Sequence, residues 1–413
     1  MSPSDTLPLR LHPNLVTAVE EALATILVHG LPADKVMARL LKSNPRWGAR
    51  DRAFIAETTY EILRYLRHYV KGVGPGTDFL RIIGWHFLAR GASLPDWPEW
   101  QNLPAPPAHP DPVPLAIRES VTDWLDRKGR EAYGERWPTL LAALNQPAPV
   151  VLRVNPLRSS LADTRMALAE AGIDTLERGE WALELEERAN VFRTAPFLEG
   201  WFEVQDLASQ QIAPLLDIRP GQRIVDACAG AGGKTLHLAA LTGNKGQIIA
   251  LDTEKFKLLE LRKRANRAGA TNVETRLIDH GKVVRRLYGS ADRLLLDVPC
   301  TGSGVLRRNP DAKWRINEEY LVHCQTLQAE ILDRYSRICK PGGRMVYATC
   351  SILREENQDQ IAGFLDRHPG FTLEGEGQFL PDDFGYDGFY YAILTAPTGP
   401  SATADSADAP SDN

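Results

Sequence analysis

The sequence predicts an α/β fold: a parallel sheet with helices on both faces, preceded by a small α+β module and an all-helical N-terminal domain. Three observations point to it. From Gly221 onward, short apolar runs alternate with helical stretches. Strand and helix-cap signals crowd the segment after Pro147. Before that residue, apolar positions recur with the period of a helix.

The elements follow in order. Leu15, Val19, Leu23 and Ile26 mark one helical stripe, and Ile55, Thr59, Ile62, Leu66 and Tyr69 another, with a shorter helix expected at Val36, Leu40 and Leu41. Leu94–Pro114 holds too many prolines for a helix or a central strand and is expected to be a loop, with helices resuming near Leu115. Domain boundaries are expected at 1–146, 147–210, 211–396 and 397–413. Within the second, Val150–Val154, Trp181–Leu185 and Trp201–Val204 are strand-like, and Ser160 with Asp163 reads as a capping box. Within the third, Arg223–Asp226, Ile248–Asp252, Val273–Ile278, Arg293–Asp297 and Arg344–Ala348 are the expected strands. The small, acidic segment 397–413 is expected to be a disordered tail.

The net charge of −5 argues at first sight against a nucleic-acid partner, but its distribution reverses that reading. After Arg367 there is no Lys or Arg and there are eight acidic residues, which leaves 48 basic against 45 acidic residues in the remainder. Lys35–Lys71 carries nine basic and three acidic residues, and Lys255–Arg286 ten and three. Such patches attract phosphate, although each is equally readable as a solvated helix face. The five cysteines lack C-x-x-C or zinc-ligand spacing, so neither a disulfide framework nor a metal is expected. No apolar run approaches a membrane span, and the N-terminal stretch lacks a signal-peptide layout; a soluble cytoplasmic protein, without membrane partners and monomeric, is the expectation.

A glycine-rich turn, Cys228-Ala229-Gly230-Ala231-Gly232-Gly233-Lys234-Thr235, follows one expected strand and opens a helix. Its glycines allow close backbone approach to a ligand at a helix N-terminus. It is not a P-loop, because Cys228 stands at the first glycine position, nor a dinucleotide fingerprint, because Thr235 stands at the third. Asp252, ending the next strand, is placed to hold both hydroxyls of a ribose, a demand that NAD and S-adenosylmethionine share. Asp279, after the third strand, could receive an adenine amino group.

Two thiols stand in turns after core strands: Cys300 in Asp297-Val298-Pro299-Cys300-Thr301-Gly302-Ser303-Gly304, and Cys350 in Tyr347-Ala348-Thr349-Cys350-Ser351. Ligands of open α/β sheets bind at such carboxyl ends. Cys324 and Cys339 are read as buried, inert cysteines of helical segments.

These motifs resemble the Nop/Sun group of RNA 5-methylcytosine methyltransferases, and within it the RsmB type. DACAGAGGKT resembles the cofactor loop of that family, LLLDVPCTGSGVLRRNPDAKWR and GGRMVYATCSILREENQDQI its two cysteine motifs, and LRVNP, VQDLASQ and DGFYYAIL its flanking elements. Ala231 departs from the usual loop proline and Val298 from the usual alanine. The resemblance implies a Rossmann-like S-adenosylmethionine-dependent methyltransferase domain, with the cofactor held by residues 228–234, Asp252, Asp279 and Asp297. It implies Cys350 as the nucleophile, Cys300 as the residue of product release, Asp297 as the group that meets the base, and Lys234 as its support. It also likens the helical domain to the NusB-like module of RsmB-type enzymes, so that Arg46, Arg50, Arg52, Arg64 and Arg67, together with Arg153, Arg307 and Arg308, are candidate RNA contacts. Ribosomal RNA is the implied substrate. Transfer RNA, an inert RNA-binding scaffold, and a nucleotide-dependent dehydrogenase or NTPase are the alternatives.

Overall fold

The computed structural model describes residues 11–399 except 75, 77 and 108–112. The expected tail lies outside the described residues from 400 onward. By internal contacts the chain forms two compact units: Met1–Pro147 with Val305–Tyr320, and Ala148–Gly304 with Leu321–Asn413. The α+β module and the parallel-sheet region are thus one unit, and a short piece of the cysteine-motif region belongs to the helical one.

The described part of the helical unit is built from helices Pro13–Leu27, Ala33–Ser43, Ala49–Val73 and Phe79–Ala89, followed by Asp123–Tyr133 and Trp137–Leu144. Its core joins Leu15, Val19, Leu23 and Ile26 to Ile55, Ile62, Ile83 and Trp85. The helix Phe79–Ala89, nearly apolar throughout, was not foreseen, because a helix buried on several faces shows no single stripe. Described parts of the 94–114 segment are irregular apart from one short turn at Pro98–Trp100.

In this unit the segment Val305–Tyr320 is a structural hub. Lys313 is fully buried, and its ammonium donates to the carbonyls of Arg64 and Glu119 and to Asn145 Oδ1. The Trp314 indole donates to the Leu63 carbonyl, and Asp311 accepts from the Ala33 amide. The long helix Ala49–Val73 has a non-helical residue at Tyr65, next to the two carbonyls that Trp314 and Lys313 take. Side chains inserted into a helical ladder produce such kinks.

The second unit holds two sheets. The first comprises β1 (Val151–Val154), β2 (Thr175–Gly179), β3 (Ala182–Leu185) and β4 (Phe202–Val204) in the order β2-β3-β1-β4, all antiparallel. Ser160 caps the helix Leu161–Glu170 between β1 and β2 by accepting from the Asp163 amide. β2, rich in Glu, Arg and Gly, carries no apolar alternation and was not foreseen.

The larger sheet comprises β5 (Arg223–Asp226), β6 (Gln247–Asp252), β7 (Val273–Leu277), β8 (Ala291–Asp297), β9 (Cys339–Thr349), β10 (Thr372–Phe379) and β11 (Phe389–Thr395). Their order is β10-β11-β9-β8-β5-β6-β7. Strands β9, β8, β5, β6 and β7 are parallel, and β11 runs antiparallel to β9. The core beneath joins Val225, Ile249, Leu294, Leu296, Met345 and Tyr347. The chain winds outward from β5 to β7 and then returns beside β5 as β8. This makes a topological switch point at the carboxyl ends of β5 and β8, where such sheets bind ligands.

Candidate active site

The switch point decides which motifs meet. β5 pairs with β8, and β8 with β9 in a register that sets Asp297 opposite Ala348. The turns that follow these three strands carry the glycine loop, Cys300 and Cys350, so segments far apart in sequence converge on one sheet edge.

At the β5 turn, Gly230 and Gly232 both adopt positive φ, at 55° and 92°. A Cβ on Gly232 would stand 2.6 Å from Leu261 Cγ, so only glycine lets the loop lie on the helix Lys255–Ala268. The loop is tied down from the antiparallel sheet as well. Arg153, buried on β1, donates to the Gly233 carbonyl at 2.7 Å and to Gln205. Arg264 donates to the Ala231 carbonyl and pairs with the buried Glu203 of β4. Asp252 Oδ2 accepts from the Gly230 amide and Oδ1 from the Glu254 amide, each at a distance of 2.8–2.9 Å. Each carboxylate oxygen keeps a further lone pair, so Asp252 can still accept from a ribose. A Cβ built on Gly230 or Gly233 meets nothing within 4 Å, which leaves open space beside the loop. An adenosyl group with a charged amino-acid end fits such a loop. Asp279, by contrast, is exposed beyond β7, 3.4 Å from the His280 ring. The Cys228 thiol is pushed well up by burial and by the neighbouring carboxylates of Asp226, Asp297 and Asp252.

Lys234, on the first turn of the helix after the loop, pairs with Asp297 at 2.6 Å and lies 5.0 Å from the Phe389 ring centroid. Below it, burial pushes the Asp226 carboxyl up to about 7, partly opposed by the bond that it accepts from Thr235.

The two thiols stand 3.3 Å apart, Cys300 Sγ to Cys350 Sγ, and both are partly exposed. The Cys300 thiol is pushed well up by its hydrogen bond to Cys350, then by burial, then by the charges of Cys350 and Glu356. Gly304 closes this turn: its amide donates to the Cys350 carbonyl, its carbonyl accepts from Gly388, and a Cβ there would fall 2.3 Å from the Gly388 oxygen. Beneath the thiols lies a polar cluster of Thr301, Ser303, Ser351, Gln328 and Glu356, to which the sequence reading gave no role. Its one sequence signal was an acidic residue, Glu356, at fixed spacing after a cysteine motif.

The remaining candidates part company. Cys324 is buried in the helix Glu318–Tyr335, but Cys339 opens β9 rather than lying in a helix, with its thiol pushed up to about 12 by burial. Arg46 and Arg50 are exposed, Arg52 is half-buried and spends its guanidinium on the Trp47 and Leu41 carbonyls, and Arg308 is half-buried. The phosphate-contact expectation does not fit Arg153, 3% exposed, or Arg307, 5% exposed: both guanidinium groups serve backbone carbonyls inside their own unit. Arg64 is likewise buried, on the carbonyls of Asn145 and Arg307, and Arg67 pairs with Asp123. No group of metal-ligating side chains occurs among the described residues, and no described helix is long and apolar enough to cross a membrane.

Comparison with known proteins places this site in context. A family model described as 16S rRNA methyltransferase RsmB/F matches residues 213–395, and one described as a Methyltr_RsmF/B-like ferredoxin-like domain matches residues 121–192. The ribosomal RNA small subunit methyltransferase B of Vibrio cholerae is 38% identical over 281 residues, 66% of this chain and 64% of that one. Its counterpart in Pseudomonas putida is 36% identical over 298 residues, 69% of this chain and 67% of that one. The chain therefore spans about two thirds of the length of these relatives. The crystal structure of PH0851 superposes with a TM-score of 0.79 at 26% identity, covering 94% of this chain and all of that one. The chain belongs to the RsmB/F family, within the Nop/Sun group.

Proposed function

We propose that this protein transfers a methyl group from S-adenosylmethionine to carbon 5 of a cytosine in ribosomal RNA, through a covalent adduct of Cys350 with carbon 6. The observation that carries the reading is the pair of thiols 3.3 Å apart, in turns that follow the strands on one sheet edge with the Lys234–Asp297 pair. Bound S-adenosylmethionine supplies an electrophilic methyl group. Carbon 5 of cytosine is too weak a nucleophile to take it unaided. Addition of the Cys350 thiolate to carbon 6 pushes ring electrons onto carbon 5, which then attacks the methyl group. Asp297 hydrogen-bonds the edge of the base, and Lys234 holds that carboxylate in place. Cys300, kept protonated by its surroundings, lies within hydrogen-bond distance of Cys350, at 3.3 Å between the sulfurs. After transfer, loss of the carbon-5 proton restores the ring double bond and expels Cys350, the step in which Cys300 takes part. A base in a duplex must first be unstacked to reach such a pocket.

Glycine-loop residues 228–234 and Asp252 hold the cofactor in this reading, and exposed Arg46 and Arg50 meet RNA phosphates. A cytoplasmic, monomeric enzyme is part of the same proposal. Bisulfite sequencing of RNA from cells with and without the gene tests it: one ribosomal cytosine should lose its protection. An unchanged methylcytosine map would sink the reading, and a change confined to transfer RNA would move the substrate.

A further inference from the structure

One buried carboxylate ties the two cysteine turns together. Glu356 has no exposed surface. Its Oε1 accepts from the Thr301 amide at 2.8 Å and from Gln328 Nε2 at 3.0 Å, and its Oε2 from the hydroxyls of Thr301 and Ser351, each at 2.5 Å. Thr301 directly follows Cys300, and Ser351 directly follows Cys350. A buried carboxylate is costly unless its lone pairs are filled, and these four donors fill them from three segments. The Glu356 carbonyl also accepts from the Tyr347 hydroxyl of β9, which fixes the turn that carries the carboxylate.

We propose that Glu356 is a positioning residue of the methyl-transfer site: it sets the spacing of the Cys300 and Cys350 thiols and holds a negative charge beside Cys300. The inference rests on the transfer reading for its catalytic meaning, but not for the geometry. Burial pushes the Glu356 carboxyl up, and the hydrogen bonds from Ser351, Thr301 and Gln328 oppose that rise and favour the charged form. That charge is one of the causes that keep the Cys300 thiol protonated, after its bond to Cys350, its burial and the Cys350 charge.

Glu356→Gln and Glu356→Ala separate the two parts. In the glutamine variant the amide oxygen replaces Oε1, and the amide nitrogen donates to the two hydroxyls, which turn round to accept. Spacing survives and charge is lost. In the alanine variant the donors are stranded. A readout independent of RNA is oxidation of the whole protein by diamide, in which the two thiols lose two electrons and two protons to the azo bond. Peptide mapping then scores the Cys300–Cys350 disulfide. The rate should fall by on the order of tenfold in Glu356→Ala and stay within about threefold in Glu356→Gln. In methyl transfer, Glu356→Ala should lower kcat on the order of 100-fold with KM for RNA nearly unchanged, and Glu356→Gln should recover most of it. With the charge gone, Cys300 ionises more easily, so the alkaline limb of the Glu356→Gln profile should begin at lower pH.

Oxidation of Glu356→Ala as fast as that of Glu356→Gln, which shares the lost charge, would overturn the spacing role, and an unmoved alkaline limb the charge role. If Glu356→Ala does not fold, Glu356→Asp takes its place, because the shortened side chain cannot reach both turns. If the wild type methylates no RNA, the function falls while the oxidation rates still judge Glu356.

Discussion

Lys234 and Lys313 are both buried, one in each unit, and they answer burial in opposite ways. Lys313 spends three N–H groups on three oxygens and none on a carboxylate, and burial together with the Arg64 charge pulls its ammonium well below the usual lysine range. Nothing is left for a ligand. Lys234 gives one N–H to Asp297, whose side chain is 28% exposed, and keeps capacity to spare. The first arrangement is saturated and serves architecture; the second is open and serves chemistry. The lesson is sharper because Lys313 lies only thirteen positions after Cys300 in one continuous motif-like stretch.

That contrast can be broken at several points. The largest effect is expected at the thiols. Cys350→Ala should lower transfer by at least about 10³-fold and abolish a denaturant-resistant protein–RNA adduct, whereas Cys300→Ala should accumulate it. Normal turnover by Cys300→Ala, or an adduct on Cys350→Ala, would reverse the assigned roles.

At the hub, Lys313→Met should destabilise the helical unit by about 2–4 kcal/mol, since it strands three buried acceptors. Hydrogen exchange of the helix around Arg64 is the measurement. If instead only kcat fell, Lys313 would belong to the chemistry and the comparison would fail.

Buried charge in the site unit should also show in a pH profile. The Asp226 carboxyl is raised from 3.8 to about 7, so the folded state binds more protons than the unfolded chain between those values. The stability contributed by this group is complete below the lower value and is lost as pH rises through the upper one. Denaturation of the wild type across that window, set beside Asp226→Asn, should show the wild type losing ground with rising pH. Parallel curves would refute the assignment.

The smallest effects separate Arg153 from the exposed arginines. Arg153→Met should weaken cofactor binding by about tenfold through the freed Gly233 carbonyl, and leave the salt dependence of RNA binding unchanged. Arg46→Ala and Arg50→Ala should do the reverse, each lowering the salt slope by about one. Titration of cofactor and RNA at two salt concentrations reads both.

Much of the fold was legible because its signals are local. The apolar run Ile248–Leu251, the Ser160 cap and the stripe Leu15–Ile26 each fix an element from neighbouring residues alone. Strands β2 and β10 were not, because polar residues and glycine dominate both and their pairing partners hold them as strands. Residue types likewise marked the glycine loop, Asp252, Asp297 and both cysteines as a chemical set. Only the tertiary structure decided which groups face outward. It buried Arg153 and Arg307 on backbone carbonyls and assigned the RRNPDAKW stretch to the helical unit. It also brought Glu356 beneath two turns that lie fifty residues apart. Sequence sets what a side chain can donate or accept, and burial decides whether that capacity is already spent.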